Sequence, residues 1–416
     1  MESFAVEKQS NDRIASIYFL LQGIGTLMSW NGVLNGLDYF HSRYPDFNAY
    51  FLIPISFNVA QVLANFFMPK LTKIFSLKLR IMIPLAIVIT IMLFLPLESL
   101  VFGGNAVGFW ISMGLVFILG FFNCVYQGTV SGFASQFPPK YTSYLLMGMG
   151  LAGLIMNALR SIAIVIFDNP EGSELMEILS YFAVACLFLV ACLLIHPTFA
   201  RSEFCRTHAT TSVELIDSDF SYDDQMEAFF QPETRSSFAQ KSMSAEFRVF
   251  KEVKLYVLLL VLNFGLSFMV FPGVMLEKRL DFMAVDWKVV TMLATFNLFD
   301  VIGKDLARYR EYYTKWSVMI VMAIRLIFNV FFIIQAIDLD LFVVSTAWFA
   351  YLNIAVFGLT HGFVTAALFI LGPEQVSIQK KEIAGYLSIF GLTTGLVLGG
   401  ILSLPLSTLN EKGSGH

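Results

Sequence analysis

Asp300 and Lys304 stand four residues apart in FNLFDVIGKDL, positions 296–306 of an otherwise apolar stretch. Helical periodicity puts both side chains on one face, with Asn297 on the same stripe. A charge at the middle of a lipid-spanning helix costs about 2.5–3.5 kcal/mol on insertion scales. Aspartate four residues before lysine is the favourable order for an intrahelical pair, so the two charges partly cancel. Their chemistry suits a polar ligand: a carboxylate accepts from hydroxyls and an ammonium donates to oxygens.

Polar stripes recur in other apolar stretches: Gln22, Thr26 and Trp30 beside Asn31 and Asn35; Asn58, Gln61 and Asn65; Asn123, Gln127 and Ser131; Asn157 and Arg160; Arg325 and Asn329; Thr360, His361 and Thr365. Amides inside membranes also tie helices together, at about 0.6–2 kcal/mol each. Arg160 and Arg325 can be held by carbonyls or reach an interface, and His361 can be a satisfied interior group. Gly391, Gly395 and Gly399 form a ridge suited to close packing. Stripes in both halves of the chain imply a hydrated interior for an uncharged but polar ligand. No carbonyl filter, Gly-rich phosphate loop, Ser–His–Asp arrangement or metal-ligand cluster is present, so neither an ATP-driven pump nor an enzyme is expected, and no cofactor or metal.

These residues need a membrane scaffold to position them. Of 416 residues, 57% are hydrophobic and 14% charged, against about 25% charged in soluble domains. The net charge of −4 and the lack of basic tracts suggest no nucleic-acid partner. A spanning helix needs about 20 mainly apolar residues. Eleven stretches qualify: about 14–36, 48–69, 79–102, 107–134, 142–167, 176–196, 253–276, 286–304, 316–337, 341–371 and 383–406.

With the amino terminus inside, nineteen of the 27 basic residues fall on the inner side, and Arg160, Lys304 and Arg325 fall within spans. The expected layout is an inner tail (1–13), a six-helix bundle (14–196), a mostly disordered inner loop (197–252), a five-helix bundle (253–406) and an outer tail (407–416). A short amphipathic piece is expected near Ala245–Lys254. The fold class is an all-α multi-pass membrane protein, 6+5 and major-facilitator-like, expected as a monomer in the plasma membrane.

Six local motifs occur in an order that resembles the equilibrative nucleoside transporter family. They are SWNGVLNGLDYF at 29–40, YQGTVSGFA at 126–134, FPGV at 271–274, FNLFDVIGK at 296–304, IRLIFNVFF at 324–332 and HGFVTAALFILGPEQV at 361–376. The chain looks like a divergent member: Ser29 replaces the usual proline, Lys304 the usual arginine, His361 the usual asparagine and Val301 the usual tryptophan. A lysine offers a point charge where arginine offers a planar fork.

The resemblance implies passage of nucleosides, with nucleobases as a further class, by alternating access. It implies a substrate site of Trp30, Gln127, Asp300 and Lys304 with Leu27 and Asn31. Trp30 would stack a base, Gln127 meet its edge, Asp300 accept from ribose hydroxyls and Lys304 donate to ring or sugar oxygens. Pro272 and Asn297 match positions near the outer gate, while Arg308, Arg310 and Glu374 sit where the inner side would lock. Asn58, Gln61, Asn123, Arg160, Arg325 and His361 would support these groups. Two other readings stand beside this one. One is a proton-coupled carrier of a nucleoside, sugar or amino acid, with the proton on Asp300, Glu374 or His361. The other is a receptor that moves nothing.

Overall fold

Hydrocarbon offers no partner for backbone N–H and C=O groups, and helices satisfy these groups internally. The computed structural model describes residues 2–47, 49–167, 173–202, 204–205, 232–271, 273–276, 285–336, 343–344 and 346–413, and every regular element among them is a helix. In order these are α1 (Glu2–Asn35), α2 (Leu37–Arg43), α3 (Ala49–Ile74), α4 (Leu77–Phe102), α5 (Ala106–Ala134), α6 (Pro139–Ile166) and α7 (Ser173–Ala200). After the connection follow α8 (Pro232–Val270), α9 (Gly273–Leu276), α10 (Val285–Leu306), α11 (Lys315–Ala336), α12 (Ala347–Leu371) and α13 (Lys381–Gly413). Local signals set several starts: the Ser76 hydroxyl accepts from Leu79 N to cap α4, and Pro139 opens α6 where no amide hydrogen is needed.

Nine helices among the described residues are long and apolar enough to cross a membrane. The expected eleven includes two more, α1 and α10, in which polar residues such as Gln22, Asn31, Asp300 and Lys304 dilute the hydropathy. Three expected boundaries change. The helix placed at 253 begins at Pro232, so the last part of the supposed loop is helical; residues 206–231 lie outside the described set. The amino-terminal tail belongs to α1, and α13 continues to Gly413.

Two halves emerge, α1–α7 and α8–α13. In the first, α1 packs on α6, α3 and α4 on α5, and α7 on α4 and α1; in the second, α8 packs on α13, and α10 and α11 on α12. The halves meet where α6 lies along α10 and where α13 lies along α5 and α3. Burial separates inner from outer helices: 78% of the α12 span is buried against 28% for α11. Large apolar groups such as Phe66, Leu187 and Trp316 are exposed on the outside, the surface a bilayer would cover.

Candidate functional site

On α10, Lys304 Nζ donates to Asp300 Oδ2 at 2.5 Å, and both residues are buried. Two glycine approaches hold the pair. On α12, the backbone of Gly362 lies against that of Asp300 so closely that a side chain there would enter the α10 main chain. On α6, a methyl at Gly150 would come within 2.6 Å of Val301 Cγ2 and 3.1 Å of Asp300 Oδ2. One turn on, Gly153 faces the Asn297 amide, and the Ser143 hydroxyl donates to Lys304 O at 2.7 Å. The pair therefore lies on the seam between the halves. Asp300 Oδ1 has no hydrogen-bond partner.

The first half contributes across the same seam. Gln127 on α5 is fully buried, and its Nε2 reaches only Met149 Sδ at 4.0 Å while Oε1 is unpartnered. Met149 directly precedes Gly150, so one level of α6 has Gln127 on one side and the Asp300–Lys304 pair on the other. Trp30 is half-buried, its ring 4.8 Å from that of Phe57. Leu27 and Asn31 are also half-buried on α1, and Asn31 donates to Leu27 O. Ser29 donates to Asn123 Oδ1 at 2.8 Å, tying α1 to α5.

The supporting residues divide. Asn58 Oδ1 and Gln61 Oε1 on α3 are buried without partners. Half-buried Arg160 lies one turn beyond Asn157 on α6. Arg325 and His361 join a compact network inside the second half. The Arg325 guanidinium donates to Phe357 O at 2.9 Å, Thr360 Oγ1 at 3.0 Å and Ser267 Oγ at 2.5 Å, and lies 4.4 Å from the Phe357 ring centroid. His361 Nδ1 lies 2.8 Å from Ser267 Oγ. This ties α8, α11 and α12 together behind Asp300. Carbonyl, hydroxyls and a π face hold the arginine.

The expected gate residues fall differently. Pro272 lies outside the described residues. Asn297 is half-buried against Gly153. Arg308 pairs with Asp305 at 3.1 Å and Arg310 with Glu374 at 2.9 Å, both within the second half. Among the described residues the ion pairs that cross the halves are others: Arg80 Nη1 to Glu382 Oε1 at 2.7 Å, nearly buried, and Lys73 to Glu246 at 3.9 Å. Beside them Ser135 donates to Lys381 O at 2.7 Å. A small recess opens at this end, lined by Ser135, Phe137, Thr142, Phe369, Glu374 and Lys381 among others. Sequence spacing does not link Arg80 with Glu382, which are 302 residues apart. The available signal was a charge at the first turn of each helix.

Two helical halves with a buried polar seam and exposed apolar flanks define a membrane transporter of the major-facilitator architecture. The proton:xylose symporter XylE has the same fold, with TM-score 0.65 at 12% identity over 96% of this chain and 89% of that one. The E. coli fucose:proton symporter FucP gives 0.58 at 11% identity over 98% and 99%. The profile of the nucleoside transporter family matches residues 113–407, and the chain belongs to that family. It is 25% identical to equilibrative nucleoside transporter 1 of Homo sapiens over 95% of this chain and 97% of that protein. With equilibrative nucleotide transporter 1 of Arabidopsis thaliana the identity is 24%, over 93% and 84%. Family and fold are those of transporters, not enzymes.

Proposed function

We propose that the protein carries nucleosides, and nucleobases as a second class, down their gradients by alternating access at the seam of Trp30, Gln127, Asp300 and Lys304. The carrying observation is the Asp300–Lys304 pair buried between the halves, with one carboxylate oxygen unpartnered and Gln127 one α6 residue away. A neutral sugar-bearing base matches this chemistry. Its hydroxyls donate to Asp300, its edge meets Gln127 and its ring stacks on Trp30, with Leu27 and Asn31 beside it. The pair compensates its own charge, so a neutral ligand adds no ion to the interior.

Asn297 and Pro272 would close the outer side. Arg80–Glu382 and Lys73–Glu246 close the inner side, a role Arg308 and Glu374 share only through partners in their own half. The lysine and arginine bias supports a cytoplasmic amino terminus and assigns the Arg80 end to the cytoplasm. Both halves come from one chain, which supports a monomer. We assign the transporter to the plasma membrane, which surface labelling of intact cells tests.

The decisive experiment is uptake of labelled inosine, adenosine, uridine and hypoxanthine into proteoliposomes of the purified protein, with sugars as competitors and with or without a proton gradient. Equilibration blocked by nucleosides but not sugars is expected. Accumulation above equilibrium driven by protons would replace facilitated diffusion with symport. Failure to equilibrate any nucleoside or base removes the proposal.

A further inference from the structure

We infer that Asn123, oriented by Ser29, is a second amide that meets the base edge and sets which bases this transporter accepts. The inference rests on the nucleoside-transport reading above and adds a specificity residue to it.

Asn123 lies on α5 four residues before Gln127, so the two amides share one face a single turn apart. It is fully buried, and its two amide atoms are treated differently. Oδ1 accepts from the Ser29 hydroxyl at 2.8 Å, while Nδ2 has no partner. A buried N–H without a partner is costly, and few native groups are left so. A tie between α1 and α5 needs only the acceptor; it gives no reason to keep an unused donor. Gln127 mirrors the arrangement: Nε2 has only a thioether, and Oε1 is free. One face of α5 thus offers a donor from Asn123 and an acceptor from Gln127, beside the Ser29–Trp30 step of α1. Ser29 matters because its hydroxyl engages Asn123 Oδ1 and leaves Nδ2 for a ligand.

A donor next to an acceptor is the complement of a base edge that carries both. Inosine has such an edge, with O6 accepting and N1–H donating. Purine riboside keeps the ring and ribose but has neither the 6-oxygen nor the N1 proton. The site should separate these two compounds, and Asn123 should supply part of the difference.

The test is uptake of both compounds into proteoliposomes by wild type, Asn123→Leu and Ser29→Ala, read as the inosine-to-purine-riboside ratio of kcat/KM. One neutral hydrogen bond corresponds to about three- to tenfold. Asn123→Leu should lower the ratio by that factor, mostly through inosine. Ser29→Ala, which removes only a hydroxyl, should lower it part of the way, and it carries the test if the leucine variant does not fold. An unchanged ratio, or an equal loss for both compounds, overturns the inference and leaves the transport reading standing. Absence of nucleoside uptake by wild type overturns both.

Discussion

Asp300 and Lys304 are stable together and expensive apart. Removing one partner of a buried pair leaves the other charge uncompensated, at about 3–5 kcal/mol, whereas removing both is often close to neutral. Asp300→Asn should therefore lower both the melting temperature and uptake. A double variant, Asp300→Asn with Lys304→Gln, separates the two effects. Its melting temperature should return towards wild type, while uptake stays depressed by roughly 10- to 100-fold, the range for a lost hydrogen bond to a charged group. Recovery of transport along with stability would make the pair structural. The pair and its stripe could be read from four-residue spacing, as could Gln127. The Arg325 network could be read only in part, because Ser267 comes from α8 and no local pattern links it to α11 or α12.

Two helices hold the site through close approach, and α6 is the more testable. Gly150→Ala would press its methyl on Val301 Cγ2, and overpacking of this kind costs about 1–3 kcal/mol. Uptake should fall, and adding Val301→Ala should restore much of it by opening space on α10. If the second change restores nothing, Asp300 Oδ2 at 3.1 Å is the controlling contact. At its other end α6 anchors α1: Lys140 and the Tyr141 hydroxyl both donate to Asp12, outside the spans. Burial alone would raise the Asp12 carboxyl, but these hydrogen bonds outweigh it and hold the group below its ordinary value. A depressed folded-state value contributes stability above the unfolded carboxylate range, and that contribution fades as pH falls through the folded one. The melting temperature of wild type should thus drop more than that of Asp12→Asn as pH is taken from 7 to below the ordinary carboxylate range, about pH 3. An equal drop would remove the anchor. Apolar runs made most helices legible, since lipid demands length and little else. The beginning of α8 was not, because 232–252 is polar and its helix packs Val249 and Val253 against Val376 and Ala384, a partner remote in sequence.

At the scale of the molecule, the question is which conformation the ion pairs favour. Arg80–Glu382 joins α4 to α13 with side-chain exposures of 3% and 17%, so it is shielded from solvent screening; Lys73–Glu246 is longer and more exposed. Both can form only when the halves meet at the Arg80 end, so both stabilise the state closed there and contribute nothing once that end opens. Each 1.4 kcal/mol lost from the closed state shifts the ratio of states tenfold towards the other. A ligand added from the opposite side binds only the closed-here state, and its apparent affinity falls with that state's population. Glu382→Ala should therefore weaken binding measured from the face opposite the Arg80 end, in proportion to the closed state's lost population, while binding measured from the Arg80 face holds or improves. Lys73→Ala should change either side by less than about threefold, as an exposed pair contributes about 0–1 kcal/mol. Exchanging the charges, Arg80→Glu with Glu382→Arg, should bring the affinity at that opposite face back towards wild type. Sealed vesicles of the two orientations make the comparison direct. Equal weakening from both faces by Glu382→Ala would mean that the pair supports the fold as a whole and does not choose between its two states.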